Sequence, residues 1–147
     1  MLSLEELKKK ADTIRQTINL LSSSSNPGTF RYGEAPNYDA TDISFPLLGM
    51  RFVSSNVDGK VLRDNYNFYF ADLVHKDQDN LVNVQSDMKR AALRFYSELR
   101  ASIISDTSGT LGLSAPITPF EERWGDECAG VEINIVFEQF FDRSTCD

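Results

Sequence analysis

Apolar and polar positions follow two rhythms between residues 60 and 104, and the rest of the chain is organised around that stretch. Over residues 61–74, Tyr66, Phe68 and Phe70 share one parity while Asn65, Asn67 and Tyr69 share the other. This is the alternation of a strand with one buried face. Lys76-Asp77-Gln78-Asp79-Asn80 then breaks the pattern with side chains that compete for backbone hydrogen bonds, which suits a turn and the entry to a helix. From Val84 the rhythm changes: Val84, Met88, Ala91, Ala92, Phe95, Leu99, Ser102 and Ile103 recur close to the spacing of one buried helical face. The expected helix covers residues 82–104 and lies on a sheet.

The same procedure places the other elements. Ser3 and Glu6 have capping-box spacing, and Leu4, Leu7, Ala11, Ile14, Ile18 and Leu21 follow in steps of three and four, so a helix is expected over residues 3–21. Its narrow apolar seam fits a terminal helix laid along its own domain, or one packed on a neighbouring subunit. The serine run 22–25 and Asn26-Pro27-Gly28 stop it. Residues 22–42 are rich in Ser, Asn, Pro, Gly and Asp yet hold Phe30, Tyr32 and Tyr38, which reads as an extended arm with a short strand possible at residues 29–32.

Residues 43–75 read as a long antiparallel hairpin turning at Asp58-Gly59, with Pro46 marking an edge or a kink. Residues 114–141 read as a second hairpin, in which Val131, Ile133, Ile135 and Phe137 face the core and Glu132, Asn134 and Glu138 face away. The expected fold is a single α+β domain. It has a four-stranded, mostly antiparallel sheet made of two hairpins, with an N-terminal helix and a central amphipathic helix packed on it.

Composition narrows the function. A chain of 147 residues fits one domain with a real core, and ten Phe and five Tyr concentrated in strand-like segments belong to a globular protein. A net charge of -7 argues against a phosphate-backbone binder, which needs a concentrated excess of cations. No apolar run approaches the roughly 20 residues of a bilayer span, and the charged first ten residues lack a signal core. Cys128 and Cys146 do not form a Cys-x-x-Cys motif, so two free thiols in a reducing compartment are expected.

Candidate chemistry is sparse. The only histidine, His75, has no Cys or His at metal-ligand spacing. Asp77 and Asp79 imitate the start of a calcium loop, but Val82 and Met88 stand where its Gly and Glu belong. Glu121, Glu122, Asp126 and Glu127 form the densest acidic cluster and read as a solvated hairpin tip, because no apolar pocket adjoins them to separate their pKa values. Phosphate-loop and nucleophile-elbow motifs are absent from the sequence. The expectation is a protein that is not an enzyme and uses no cofactor or metal.

Two stretches carry a family resemblance: residues 70–95, FADLVHKDQDNLVNVQSDMKRAALRF, and residues 117–147, ITPFEERWGDECAGVEINIVFEQFFDRSTCD. They resemble small structural proteins from the neck and tail of tailed bacteriophages, the tail-terminator and head-to-tail connector class. The resemblance is nearest to those of phages infecting Bacteroidetes, crAss-like phages included. It covers the second half of the chain and hardly touches the first third. It implies a virion subunit, made in the host cytoplasm, that closes into a six-fold or twelve-fold ring around the DNA channel and meets portal, ring or tail proteins. Neither sequence-specific nucleic-acid binding nor membrane contact is implied.

A closed ring needs two different patches on each subunit. The aromatics Phe30, Tyr32 and Tyr38 on one side and Trp124, Phe140 and Phe141 on another are the candidate interface residues. The competing class is an adaptor that binds a peptide by strand addition to a sheet edge.

Overall fold

The computed structural model describes residues 3–33, 44–74, 79–106, 110–111, 115–121 and 128–140. Helix α1 (Leu4–Thr17) begins at Ser3, whose hydroxyl accepts the Glu6 N–H at 3.2 Å. It ends four residues before Leu21, because Ile18 turns extended and its N–H bonds back to the Arg15 carbonyl. Leu21 and Ser22 then both donate to the Ile18 carbonyl, which keeps Ile18 and Leu21 buried without helix. Arg15 ties this turn down, with Nε on Asp12 at 2.9 Å and an Nη on the Pro27 carbonyl at 2.7 Å. Gly28 follows at φ 71°, where a Cβ would overlap the Leu21 carbonyl and lie 2.6 Å from that of Pro46. Only glycine fits there.

The strands are β1 (Thr29–Tyr32), β2 (Leu47–Asp58), β3 (Val61–Leu73), β4 (Thr110–Leu111), β5 (Ile117–Glu121) and β6 (Cys128–Phe140), with α2 (Leu81–Asp106) between β3 and β4. They form one sheet in the order β1-β2-β3-β6-β4, with β5 also beside β6. The expected four-stranded, mostly antiparallel sheet is therefore corrected in two ways. Residues 29–32 of the segment read as an arm are β1, which adds a parallel edge strand beside β2, and β4 adds a short strand beside the end of β6. The sheet is mixed. Both expected hairpins are present, as β2–β3 and β5–β6. The first turns at Gly59-Lys60 rather than Asp58-Gly59, since Asp58 pairs with Val61 and Gly59 holds φ 62°.

Both helices lie on one face of the sheet. They cover Leu48, Met50, Tyr66, Phe68, Phe70, Val131, Ile133, Ile135 and Phe137, which form one core with the buried seams of α1 and α2. Phe95 sits at its centre, its ring 5.0 Å from that of Phe68 and 5.4 Å from that of Phe70. Lys10 of α1 donates to the Ser102 hydroxyl near the end of α2 at 3.0 Å, a polar tie between the two helices. A smaller cluster of Leu47, Tyr69, Ala71 and Phe120 occupies the opposite face. Its row runs Leu47–Ala71–Gly130–Phe120 across four strands. A Cβ on Gly130 would overlap the Phe70 carbonyl, so the row closes only with glycine there. No helix among the described residues is long and apolar enough to cross a membrane.

Candidate interaction surface

Past Met50, β2 loses its neighbour. β1 ends at Tyr32 opposite Met50, where the Gly33 N–H donates to the Met50 carbonyl at 2.9 Å. Among the described residues no strand pairs with the outer edge of β2 from Phe52 to Asp58. This part of β2, with the first turns of β3 and the end of β6, forms a three-stranded ribbon whose apolar side chains are exposed: Val53, Val57 and, most of all, Phe140 at 70%.

A bulge creates this arrangement. Val53 is the unpaired residue between the Phe52–Tyr66 and Ser54–Asn65 pairs, so the parity of β2 flips there. Ser55 and Val57 thereby come to the helix side, opposite Asp64 and Leu62. The buried Asp64 carboxylate accepts the Ser55 hydroxyl. Beside it, Tyr66 is buried with the Phe52 ring at 5.5 Å in an edge-on contact. Burial pushes the Tyr66 phenol well above its ordinary value, and the proximity of Asp64 and Tyr32 pushes the same way. Tyr66 therefore stays a neutral packing group. On the opposite side of the ribbon Arg63 bridges Glu138 at 2.8 Å and Asp58 at 3.4 Å, which raises its pKa further. In mid-sheet the Asn134 amide donates to the Asn65 and Asn67 oxygens at 2.6 and 2.7 Å.

These polar groups fasten strands to one another. Among the described residues no three His, Cys, Asp or Glu side chains are placed to hold a metal ion. Cys128 is buried at the start of β6. His75, Asp77, Glu122, Asp126, Glu127 and Cys146 lie outside the described residues.

The expected interface aromatics divide. Phe30 is half-buried and packs on the protein's own core, so it belongs to the sheet more than to a free arm. Tyr32, 38% exposed, lies on the same face with the Lys8 ammonium 5.2 Å from its ring centre. Phe140 closes the ribbon opposite Val61, three strands along from β1 in the sheet. Tyr38, Trp124 and Phe141 lie outside the described residues. Sequence reading missed Phe52 and Val53, which it counted as ordinary strand content, and Val57, which it placed at the hairpin turn. The available signal was the polar company of Val57, in Ser54-Ser55-Asn56-Val57-Asp58, where a buried strand would be more apolar. No protein-family model matches the chain, and no curated protein is significantly similar to it.

Proposed function

We propose that this protein is a virion structural subunit that closes into a ring around the DNA channel in the neck or tail of a tailed bacteriophage, as a head-to-tail connector or tail terminator. The observation that carries the reading is the ribbon edge from Phe52 to Asp58, open among the described residues and flanked by exposed Val53 and Val57. An unpaired edge with apolar side chains is a template for another chain, and closure into a ring removes it from solvent in every copy. The resemblance over residues 70–95 and 117–147 supports the same class. Mass photometry of the purified protein, followed by negative-stain imaging, tests it. Uniform rings with a central lumen are expected, and a strict monomer at every concentration would overturn it.

The same open edge favours a second reading, an adaptor that takes an extended peptide as an added strand. Under that reading the protein stays monomeric, and a bound peptide protects the amides of residues 52–58 from hydrogen exchange. A ring protects those amides only in the assembled fraction.

A further inference from the structure

The end of α1 and the loop after it border a cavity that neither the core nor the ribbon uses. It has a volume of about 540 Å³ and is open to solvent, a size that suits a small ligand. Arg15 and Gln16 of α1, Asn19 just past its end, and Ser22, Ser23 and Ser24 of the loop contribute to its wall. A wall of hydroxyls, amides and a guanidinium calls for a polar ligand.

Arg15 decides the sign of the charge. Its side chain is a buried cation, 8% exposed, with Nε on Asp12 at 2.9 Å and Nη1 on the Pro27 carbonyl at 2.7 Å. A guanidinium carries five N–H donors, and Nη2 has no partner among the described residues. A buried cation with unused donors is costly unless an acceptor reaches it. The Ser22 and Ser24 hydroxyls and the Gln16 and Asn19 amides likewise make no hydrogen bond to the described residues. Arg15 is the one charged group among the described residues of the wall, since the Asp12 carboxylate meets Nε outside it. Carbonyls at a helix end repel anions, but here several are already taken up. The Thr17 hydroxyl donates to Ile14, the Ile18 N–H to Arg15, and the Leu21 and Ser22 N–H groups to Ile18.

We propose that this cavity binds a phosphate group, as the free ion or as a phosphate monoester, with Arg15 Nη2 and the Ser22 and Ser24 hydroxyls as its donors. A tetrahedral anion offers oxygens in several directions, which suits donors arriving from both helix and loop, and hydrogen bonds from a guanidinium to such oxygens are charge-assisted. The site lies on α1 and its loop, away from the ribbon, and stands whether or not copies of the chain assemble.

Amide chemical shifts of the isotope-labelled chain, titrated with sodium phosphate at fixed ionic strength, test this. Saturable shifts at residues 22–24 are expected, with a dissociation constant of about 1 mM or tighter. Asn19→Asp keeps the shape and adds a carboxylate to the wall, so it weakens binding at least about tenfold. Ser22→Ala combined with Ser24→Ala weakens it about fivefold or more. Both variants leave Arg15 in place, because it also ties down the turn, and circular dichroism checks their folding. Glycerol phosphate binding as tightly as the free ion supports an esterified ligand, and binding of the free ion alone supports inorganic phosphate. Shifts that fail to saturate by about 20 mM phosphate overturn the site. Binding unchanged in both variants overturns its location, and acetate binding as tightly as phosphate overturns the tetrahedral anion in favour of a carboxylate.

Discussion

Replacing Phe95 with alanine probes the joint between helix layer and sheet. Its ring is fully buried, wedged against Phe68 and Phe70 of β3. Burying an aromatic side chain removes about 150–250 Å² from water, which at about 25 cal/mol per Å² is roughly 4–6 kcal/mol. The retained β-carbon gives part of that back, and loss of two tilted or edge-on ring contacts adds about 0.5–1.5 kcal/mol each. Facing rigid strands, the site has little freedom to collapse, so the net loss is expected at about 3–5 kcal/mol. A chain of this size loses about 2–4 °C per kcal/mol, so the midpoint of thermal unfolding falls by roughly 6–20 °C. Phe95→Leu, which refills most of the space, loses less than half as much. Urea denaturation monitored by far-UV circular dichroism measures both. An unchanged midpoint for the alanine variant would refute the reasoning at its centre, because α2 would then turn this face to something other than the sheet.

Three further outcomes follow from particular contacts. Gly130→Ala is expected to prevent stable folding or to lower the melting temperature more than any single surface change, since its Cβ meets the Phe70 carbonyl in mid-sheet; expression and melting of the variant read it. Burial, then the nearby Asp87, raises the Asp72 carboxyl above its ordinary 3.8, against the lowering effect of the Leu73 N–H it accepts. The folded state therefore keeps that proton to higher pH, and stability from this group is full below 3.8 and is lost as pH rises through the raised value. Asp72→Asn should then melt higher than wild type at neutral pH, with the difference closing below 3.8, and pH-dependent melting curves check it. Duplex DNA should show no salt-sensitive binding near physiological ionic strength in a gel-shift titration, given the net charge of -7.

What the sequence showed plainly were the elements whose environment is set by their own periodicity. Seven of the eight positions marked for the central helix are buried, Ser102 being the half-buried exception, and the alternation of β6 puts Val131, Ile133, Ile135 and Phe137 in the core. Features that depend on which strand returns to which were hidden. Four residues such as Thr29–Tyr32 carry too short a pattern to name a partner, and their parallel register with β2 is set where Gly28 approaches the Pro46 carbonyl that accepts the Thr29 N–H. Tyr69 illustrates the other gap: it alternates with Asn65 and Asn67 as if exposed, yet it is buried beside Leu47, Ala71 and Phe120. The opposite face of the sheet is thus apolar at one end and polar in the middle. Strict alternation describes only a sheet with one buried face.

The bulge at Val53 links that topology to the candidate surface. Without the extra residue, β2 would keep its parity, Ser54 would face Asp64 and Val57 would turn to the side of Arg63 and Glu138. With it, the Ser55 hydroxyl satisfies the buried Asp64 carboxylate, and Val57 joins Phe52 on the helix side of a ribbon edge that has no neighbour among the described residues. A bulge also increases local twist, which turns an open edge away from flat edge-to-edge pairing. The ribbon is therefore shaped against indiscriminate strand addition while it keeps an apolar stripe, the combination that suits a partner of fixed geometry. On the proposed reading that partner is the next copy in the ring.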